Sequence, residues 1–133
     1  MIEGHRLHEA RVDGRGTEPA GAFTLERAIG PDNMEVVALA GELDLAAAPA
    51  VRACVDAASG ARAVVIDITG ATFVDSSMLK ELLSANSELA RYDTRLVIAG
   101  TPPAVRRLLD LTRTAGLFSL AEDRDGALAQ LGR

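Results

Sequence analysis

Two short polar segments carry the groups in this chain that are best suited to chemistry. One is the sequence GELD at residues 41–44, and the other is Asp75-Ser76-Ser77. Both fall where a predicted strand gives way to a predicted helix, the place where functional groups gather in α/β sheets. Asp and Ser are also preferred helix N-caps, because their side-chain oxygens accept hydrogen bonds from unpaired amide groups. The second segment could therefore be a helix cap alone, and the first could hold only solvated carboxylates.

A serine at a helix N-terminus can also accept a phosphate group. There the phosphate meets free amide groups and the positive end of the helix dipole, which both tolerate added negative charge. Phosphorylation adds about −1.5 to −2 charges. With Asp75 adjacent and Glu42 or Asp44 nearby, that charge would repel an acidic or apolar partner surface. The chemistry expected at Ser76 is a switch of binding with little change of fold.

The composition excludes most catalytic chemistry. The chain has 133 residues, a net charge of −5, two His, one Cys and 3% aromatic residues. His5 and His8 both lie near the N-terminus, so the rest of the chain has no His general base and no imidazole metal ligand. Cys54 occurs with apolar residues at helical spacing, which predicts a core position rather than a reactive thiol. We expect no cofactor and no metal site.

The same numbers argue against nucleic acid and membrane as partners. An acidic chain with few aromatic rings offers little for phosphate neutralisation or base stacking. No apolar run approaches the roughly 20 residues that span a bilayer, and the N-terminus has no apolar stretch like that of a signal peptide. We expect a cytoplasmic chain with no direct nucleic-acid contact and no membrane insertion.

Hydrophobic periodicity predicts a single α/β domain that positions the two polar segments. Strands are predicted at 22–29, 35–40, 62–68, 94–99 and 117–120, and helices at 47–59, 76–91, 102–112 and 125–131. The order β-β-α-β-α-β-α-β-α implies a small mixed, mostly parallel sheet with helices packed on it and an antiparallel hairpin at its start. We predict a mobile N-terminal extension over 1–21, the domain over 22–131 and a C-terminal tail at 132–133.

Three runs of the sequence resemble the STAS domain of bacterial anti-sigma factor antagonists. They are GELDLAAAPAVRACVDAA, VVIDITGATFVDSSMLKELLSA and RLVIAGTPPAVRRLLDLT, and the resemblance covers residues 22–131. The most specific feature is the combination of the GELD and D-S-S elements, one after the other. The resemblance implies the STAS fold and a binding protein rather than an enzyme.

The resemblance also implies a phosphorylation switch and its partners. In its unphosphorylated form, such an antagonist binds an anti-sigma factor that is itself a GHKL-type serine kinase, which frees a sigma factor for transcription. The kinase phosphorylates the serine after the motif aspartate, here Ser76, with Ser77 as the fallback acceptor. This breaks the complex, and a PP2C-type phosphatase restores it. The residues expected at the partner-binding surface are Glu42, Asp44, Asp75, Ser76, Ser77, Met78 and Glu81.

Two positions depart from the family pattern. Met78 stands where the family usually has Gly, and we expect its side chain to project near the docking face and obstruct it. Thr112-Arg113-Thr114 replaces the usual T-G-L after the third long helix. We expect a different C-terminal cap there, one that presents Arg113. Neither departure changes the predicted fold, but both bear on which kinase Ser76 suits.

Other functions stay open on the sequence. The domain could be a STAS interaction module that never accepts phosphate and is regulated without a kinase. It could also be a STAS subunit of a lipid-transport ABC complex, resting on an ATPase subunit. An enzyme is the weakest alternative, because Asp75 beside Ser76 is a weak activator of a hydroxyl group.

Overall fold

Six strands form one mixed sheet in the computed structural model, which describes residues 9–13, 23–58 and 60–132. The strands are β1 (Glu9–Asp13), β2 (Phe23–Ile29), β3 (Met34–Leu43), β4 (Ala63–Val74), β5 (Arg95–Ala99) and β6 (Ser119–Ala121). The helices are α1 (Ala48–Ala58), α2 (Ser76–Ala90), α3 (Pro103–Leu111) and α4 (Arg124–Leu131). The strands lie side by side in chain order, antiparallel from β1 to β3 and parallel from β3 to β6. The predicted α/β fold class is confirmed, and the predicted order of elements holds from β2 onward.

Strand β1 lies within the stretch for which the sequence predicts a mobile extension. Its backbone pairs with β2 in a register that runs from Glu9–Ala28 to Asp13–Thr24. The sequence EARVD carries no apolar run, so its strand conformation comes from pairing with the open edge of β2 rather than from its own propensity. The other residues of 1–21 lie outside those described, and the domain boundaries at 22 and 131 stay a prediction.

Strand β4 is longer than the sequence predicts and passes its neighbour β5. Its pairing with β5 ends at Asp67–Ala99, whereas its pairing with β3 continues to Leu43–Val74. The predicted strand stops at residue 68, because a glycine and polar residues interrupt the apolar run there. At that glycine, Gly70, an added Cβ would lie only 2.9 Å from the Cβ of Ala40. The ends of β3 and β4 therefore project together beyond the rest of the sheet.

The helices cover the two faces of the sheet unequally. Helices α1, α2 and α3 contribute to one large core with strands β2 to β5. Helix α4 packs Ala127 and Leu131 against the opposite face. Cys54 lies in the larger core, as predicted, and burial raises the pKa of its thiol. Within the described ranges, no helix combines the length and the apolar character needed to cross a membrane.

Helix α3 is followed, after its C-cap Thr112, by Arg113 in the left-handed conformation. The amide of Thr114 donates to the carbonyl of Leu109 at 2.9 Å, and the amide of Arg113 donates to the carbonyl of Asp110 at 3.2 Å. This is the Schellman motif, which usually has glycine at the position of Arg113. Arg113 instead adopts φ 59° and is exposed. The expectation of a different type of cap is therefore wrong, because the hydrogen bonds are those of the cap that usually contains glycine. The expected exposure of Arg113 is confirmed.

Replacing this arginine by glycine should stabilise the domain. We expect Arg113→Gly to raise the free energy of unfolding by about 1 kcal/mol, because the left-handed conformation costs an L residue roughly that much. Urea denaturation would measure the change as a higher midpoint at an unchanged m-value. The matched control is Arg107→Gly, at an exposed position inside α3, which should lower stability by about 1 kcal/mol. A lower midpoint for Arg113→Gly would contradict the strain assigned here.

Candidate functional site

The two polar segments of the sequence lie side by side at the projecting ends of β3 and β4. The parallel register pairs Leu43 with Val74. The backbone amide of Asp75 then donates to the carbonyl of Leu43 at 3.3 Å. This register brings Glu42 and Asp44 to the same edge of the sheet as the start of α2. The structure therefore brings together the predicted carboxylates and the predicted serine.

Two of these carboxylates also have structural tasks. Oδ1 of Asp75 accepts a hydrogen bond from the amide of Met78 at 2.9 Å and caps α2. Oδ1 of Asp44 accepts from the amide of Ala46 at 3.0 Å and caps the 3-10 helix Leu45–Ala47. The capping interpretation is thus confirmed for Asp75, and it leaves Ser76 as the first residue of α2. The carboxylates are held in fixed positions beside an exposed hydroxyl group.

The helical repeat places Ser76 on a different side of α2 from Ser77, Met78 and Glu81, the other residues of α2 that are predicted to contact a partner. Successive side chains turn by about 100° around a helix axis. The buried side chains of α2 define the direction of the core, and Ser76, Lys80 and Ser87 point to nearly the opposite side. All three are exposed. Ser77 and Glu81 lie on the flank of α2 that faces α1. Ser76 is therefore the more exposed of the two predicted acceptor hydroxyl groups.

Glu81 is engaged by an arginine of α1 rather than held free for a partner. Arg52 places Nη2 2.9 Å from Oε2 of Glu81, and its Nη1 hydrogen-bonds Glu88. The hydrogen bond to Glu88 raises the pKa of the Arg52 guanidinium despite partial burial, with Glu81 and Asp56 adding to the effect. These contacts tie α1 to α2 along their length. A role for Glu81 at the partner-binding surface stays a prediction.

The side chain of Met78 does not project from the surface, which contradicts the expectation for this residue. It has 0% exposure and lies in the large core with Leu82 and Leu89 of the same helix. Met78 is the third residue of α2, two positions after Ser76 and two before Lys80. Because successive side chains turn by about 100°, its side chain points inward while those of Ser76 and Lys80 point outward. Met78 therefore neither obstructs a docking face nor contacts a partner through its side chain.

Two apolar residues beside Ser76 were missed by the sequence analysis. Phe73 is 49% exposed and Leu45 is 68% exposed, although both are large hydrophobic side chains. Phe73 lies on β4 after the last pairing with β5, and the register places it opposite Glu42 of β3. In the sequence, both residues look like ordinary members of apolar runs. Their exposure follows from the projection of β3 and β4 beyond the sheet.

A further carboxylate at this edge fixes α4. Asp67 accepts hydrogen bonds from the hydroxyl of Thr69 at 2.7 Å, from its amide at 3.0 Å and from Arg124 at 3.1 Å. Burial alone would raise the pKa of the Asp67 carboxyl. The hydrogen bonds from Thr69 and the charge of Arg124 outweigh burial and hold that pKa below its usual value. Asp67 thus acts as a structural anion between β4 and α4.

The described residues hold no group of three or more His, Cys, Asp or Glu side chains placed to bind a metal ion. His5 and His8 lie outside the described residues.

Comparison with known proteins finds a family model and several solved structures to which this chain is similar. A family model described as "Mlab, STAS domain" matches residues 30–121. The chain is similar to an anti-sigma factor antagonist from Mycobacterium paratuberculosis, with 28% identity, a TM-score of 0.74, and coverage of 84% of this chain and 95% of that chain. It is similar in fold to the Bacillus cell fate determinant SpoIIAA in its phosphorylated form, with 22% identity, a TM-score of 0.66 and coverage of 80% and 98%. A sulfate transporter family protein from Wolinella succinogenes shares the fold at 14% identity, a TM-score of 0.70 and coverage of 77% and 87%.

Truncation of Met78 should destabilise the domain rather than open a docking face. We expect Met78→Ala to lower the free energy of unfolding by about 2–5 kcal/mol, because it leaves a cavity in the core. Met78→Leu should cost less than about 1.5 kcal/mol, since it nearly conserves the volume. Urea denaturation of both variants would measure these values. A loss close to zero for Met78→Ala would mean that the side chain is not buried in solution.

The lowered pKa of Asp67 predicts a defined pH dependence. A carboxyl whose pKa is lower in the folded state stabilises the fold above the pKa of the unfolded state, and this stabilisation disappears as pH falls through the folded-state pKa. Asp67→Asn should therefore be less stable than the natural chain at pH 7, and the difference should shrink toward pH 3 and below. Urea denaturation of both chains across this range would measure it. A difference that does not change with pH would contradict the charged state assigned to Asp67.

Proposed function

Because the chain belongs to the STAS domain family, we propose that it is a cytoplasmic anti-sigma factor antagonist that is switched by phosphorylation of Ser76. In its unphosphorylated form it binds an anti-sigma factor that is a GHKL-type serine kinase, and sigma-factor-dependent transcription follows. The phosphorylated form releases that partner, and a PP2C-type phosphatase reverses the modification. Ser77 is the fallback acceptor.

The observation that carries this proposal is the exposed position of Ser76 on a mixed apolar and acidic surface. Ser76 points outward at the start of α2, next to exposed Phe73 and Leu45 and close to Glu42. Exposed apolar residues supply area for binding, and they cluster at interaction sites. The antagonist from Mycobacterium paratuberculosis, at 28% identity over most of both chains, supports the role.

The switch works through charge at a surface of fixed shape. A phosphate on Ser76 adds about −1.5 to −2 charges. It lies beside Asp75, whose carboxylate already occupies the capping amide of Met78 at 2.9 Å. The new charge therefore points toward solvent and toward any docked partner, and it opposes the burial of Phe73 and Leu45. The partner leaves because desolvating this charge costs more than the apolar contact contributes.

We propose no catalytic activity for the chain itself. A Ser76 nucleophile would need a neighbouring general base. The adjacent carboxylate, that of Asp75, is engaged in the helix cap through Oδ1. The kinase supplies the nucleotide and its metal ion. The protein thus acts as a binding module whose output is the presence or absence of a complex.

A STAS subunit of a lipid-transport ABC complex remains the second candidate. The same fold occurs in a sulfate transporter family protein, so the fold does not separate the two functions. In a transport complex the domain would bind an ATPase subunit, and Ser76 would receive no phosphate. The identity of the stably bound partner therefore distinguishes the candidates.

The phosphorylation switch predicts distinct behaviour for three serine variants. Incubated with ATP, Mg²⁺ and the kinase recovered on the natural chain, Ser76→Ala should bind the kinase and gain no phosphate by intact-mass and peptide analysis. Ser76→Glu should bind more weakly, although one carboxylate carries less charge than a phosphate. Ser87→Ala is the matched control, because Ser87 is exposed on the same side of α2. It should be phosphorylated like the natural chain.

Two outcomes would contradict the proposal. Phosphate on neither Ser76 nor Ser77 after incubation with the recovered kinase would exclude the switch and favour an unphosphorylated interaction module. Recovery of an ATPase and a permease, bound equally by the natural chain and Ser76→Glu, would favour the transport subunit. Phosphate on Ser77 alone would move the acceptor to the flank of α2 that faces α1.

A further inference from the structure

The exposed large hydrophobic side chains of the described residues lie at two opposite ends of the domain. Leu45 and Phe73 lie beside Ser76, where the parallel strands end. Tyr92, Leu111 and Leu117 lie where those strands begin, because α2 and α3 run back against the strand direction and the 3-10 helix Ala115–Leu117 leads directly into β6. Helix α2 has 15 residues and separates the ends by about 22 Å.

The end remote from Ser76 is also basic. We call it the basic pole and define it by Arg91, Tyr92, Arg95, Leu111, Arg113 and Leu117, all of which are exposed. Asp32, Asp93 and Asp110 are exposed acidic residues at the same end, and Asp110 is paired with Arg106 at 3.8 Å. The amide group of Asn86 donates to the carbonyl of Leu117 at 2.9 Å and ties the 3-10 helix to α2.

The end that carries Ser76 has the opposite charge. We call it the acidic pole, and it comprises exposed Leu45 and Phe73 together with Glu42, Asp44, Asp75, Glu122, Asp123 and Asp125. The last three belong to the segment that leads from β6 into α4, which lies at the same edge because β6 is parallel to β4 and β5. Among the described residues, Lys80 and Arg124 are basic residues nearby, and Arg124 is paired with Asp67. Each pole thus combines exposed apolar side chains with a net charge, positive at the basic pole and negative at the acidic pole.

We propose that the chain associates with itself head to tail, with the acidic pole of one copy against the basic pole of the next. The two poles are complementary in charge, and both offer apolar area that is exposed in a single copy. A symmetric contact of either pole with itself would bring like charges together. A contact between unlike surfaces is heterologous, so it leaves one free pole at each end and permits further addition.

Association of this kind covers Ser76. The serine lies within the acidic pole, so a neighbouring copy and any other partner that reaches Ser76 compete for the same surface. The inference stands apart from the phosphorylation switch, since it rests on the placement of charge and apolar side chains alone. Variants at the basic pole test it without touching the Ser76 surface.

Analytical ultracentrifugation of the purified full-length chain provides the test. We expect the weight-average mass to rise with concentration from the monomer value of 13.9 kDa to beyond that of a dimer. It should fall toward the monomer value as ionic strength rises from about 0.01 M to about 1 M, because the screening length shrinks from about 30 Å to about 3 Å. A chain that remains monomeric up to millimolar concentration at low salt would overturn the proposal, and the poles would then be surfaces for other molecules.

Charge-reversal variants test which surfaces meet. The double variant Arg95→Glu with Arg113→Glu should lose binding through the basic pole. The double variant Glu42→Arg with Leu45→Arg should lose binding through the acidic pole. Each double variant alone should be monomeric, whereas their mixture should stop at a complex of one copy of each. Arg107→Glu, an exposed change on α3 outside both poles, is the control and should associate like the natural chain. Circular dichroism would verify that each variant is folded.

The mixing result separates this arrangement from a symmetric dimer. If the contact were symmetric, one of the two double variants would still dimerise alone, and mixing would add nothing. That outcome, or equal association by all variants, would refute the head-to-tail contact. Phosphorylation of Ser76 in the basic-pole variant is a separate measurement, so failure of association and failure of the switch can be told apart.

Discussion

The parallel pairing of β3 with the far end of β4 is the constraint on which the site depends. This pairing continues to Leu43–Val74 after β5 has ended. At the point of divergence Gly100 has φ +74°, and an added Cβ there would lie 1.9 Å from Oγ1 of Thr69. Only glycine lets the chain turn from β5 toward α3 while β4 continues past it. The GELD carboxylates and the start of α2 share a surface because of this divergence.

The position of Asp75 explains why a phosphate at Ser76 would change binding without changing the fold. Its carboxylate already satisfies the amide of Met78 at 2.9 Å, so a phosphate on the next residue cannot take over that hydrogen bond without displacing the cap. The helix N-terminus still attracts the phosphate through the dipole, and Asp75 repels it. These two effects oppose each other inside the molecule. No such attraction offsets the repulsion between the phosphate and a docked partner. The phosphate therefore weakens binding of the partner and leaves the fold unchanged.

Local patterns in the sequence predicted most of the elements, and long-range geometry accounts for what they missed. The helical spacing of Leu79, Leu82, Leu83 and Ala90 predicted α2 to within a residue at its end. Leu79 and Leu82 are buried, as this spacing implies, whereas Ala90 is exposed. The same spacing includes Met78, and periodicity alone would have placed it in the core. Comparison with a family glycine suggested an exposed role instead. The exposure of Phe73 and the pairing of β1 depend on neighbouring strands, which no local pattern in the sequence encodes.

Rigidity along α2 determines how events at its two ends can influence each other. The helix is held to the sheet by buried residues such as Met78 and Leu89 and to α1 by the contacts of Arg52 with Glu81 and Glu88. None of these contacts involves the outward side on which Ser76 lies, so charge added there leaves them intact. Signalling through the helix would need a second discrete arrangement of it, whereas the structure holds it in one. In this arrangement, coupling between the poles comes from competition for surface and from electrostatics, since a molecule that covers Ser76 excludes another without any movement of the fold.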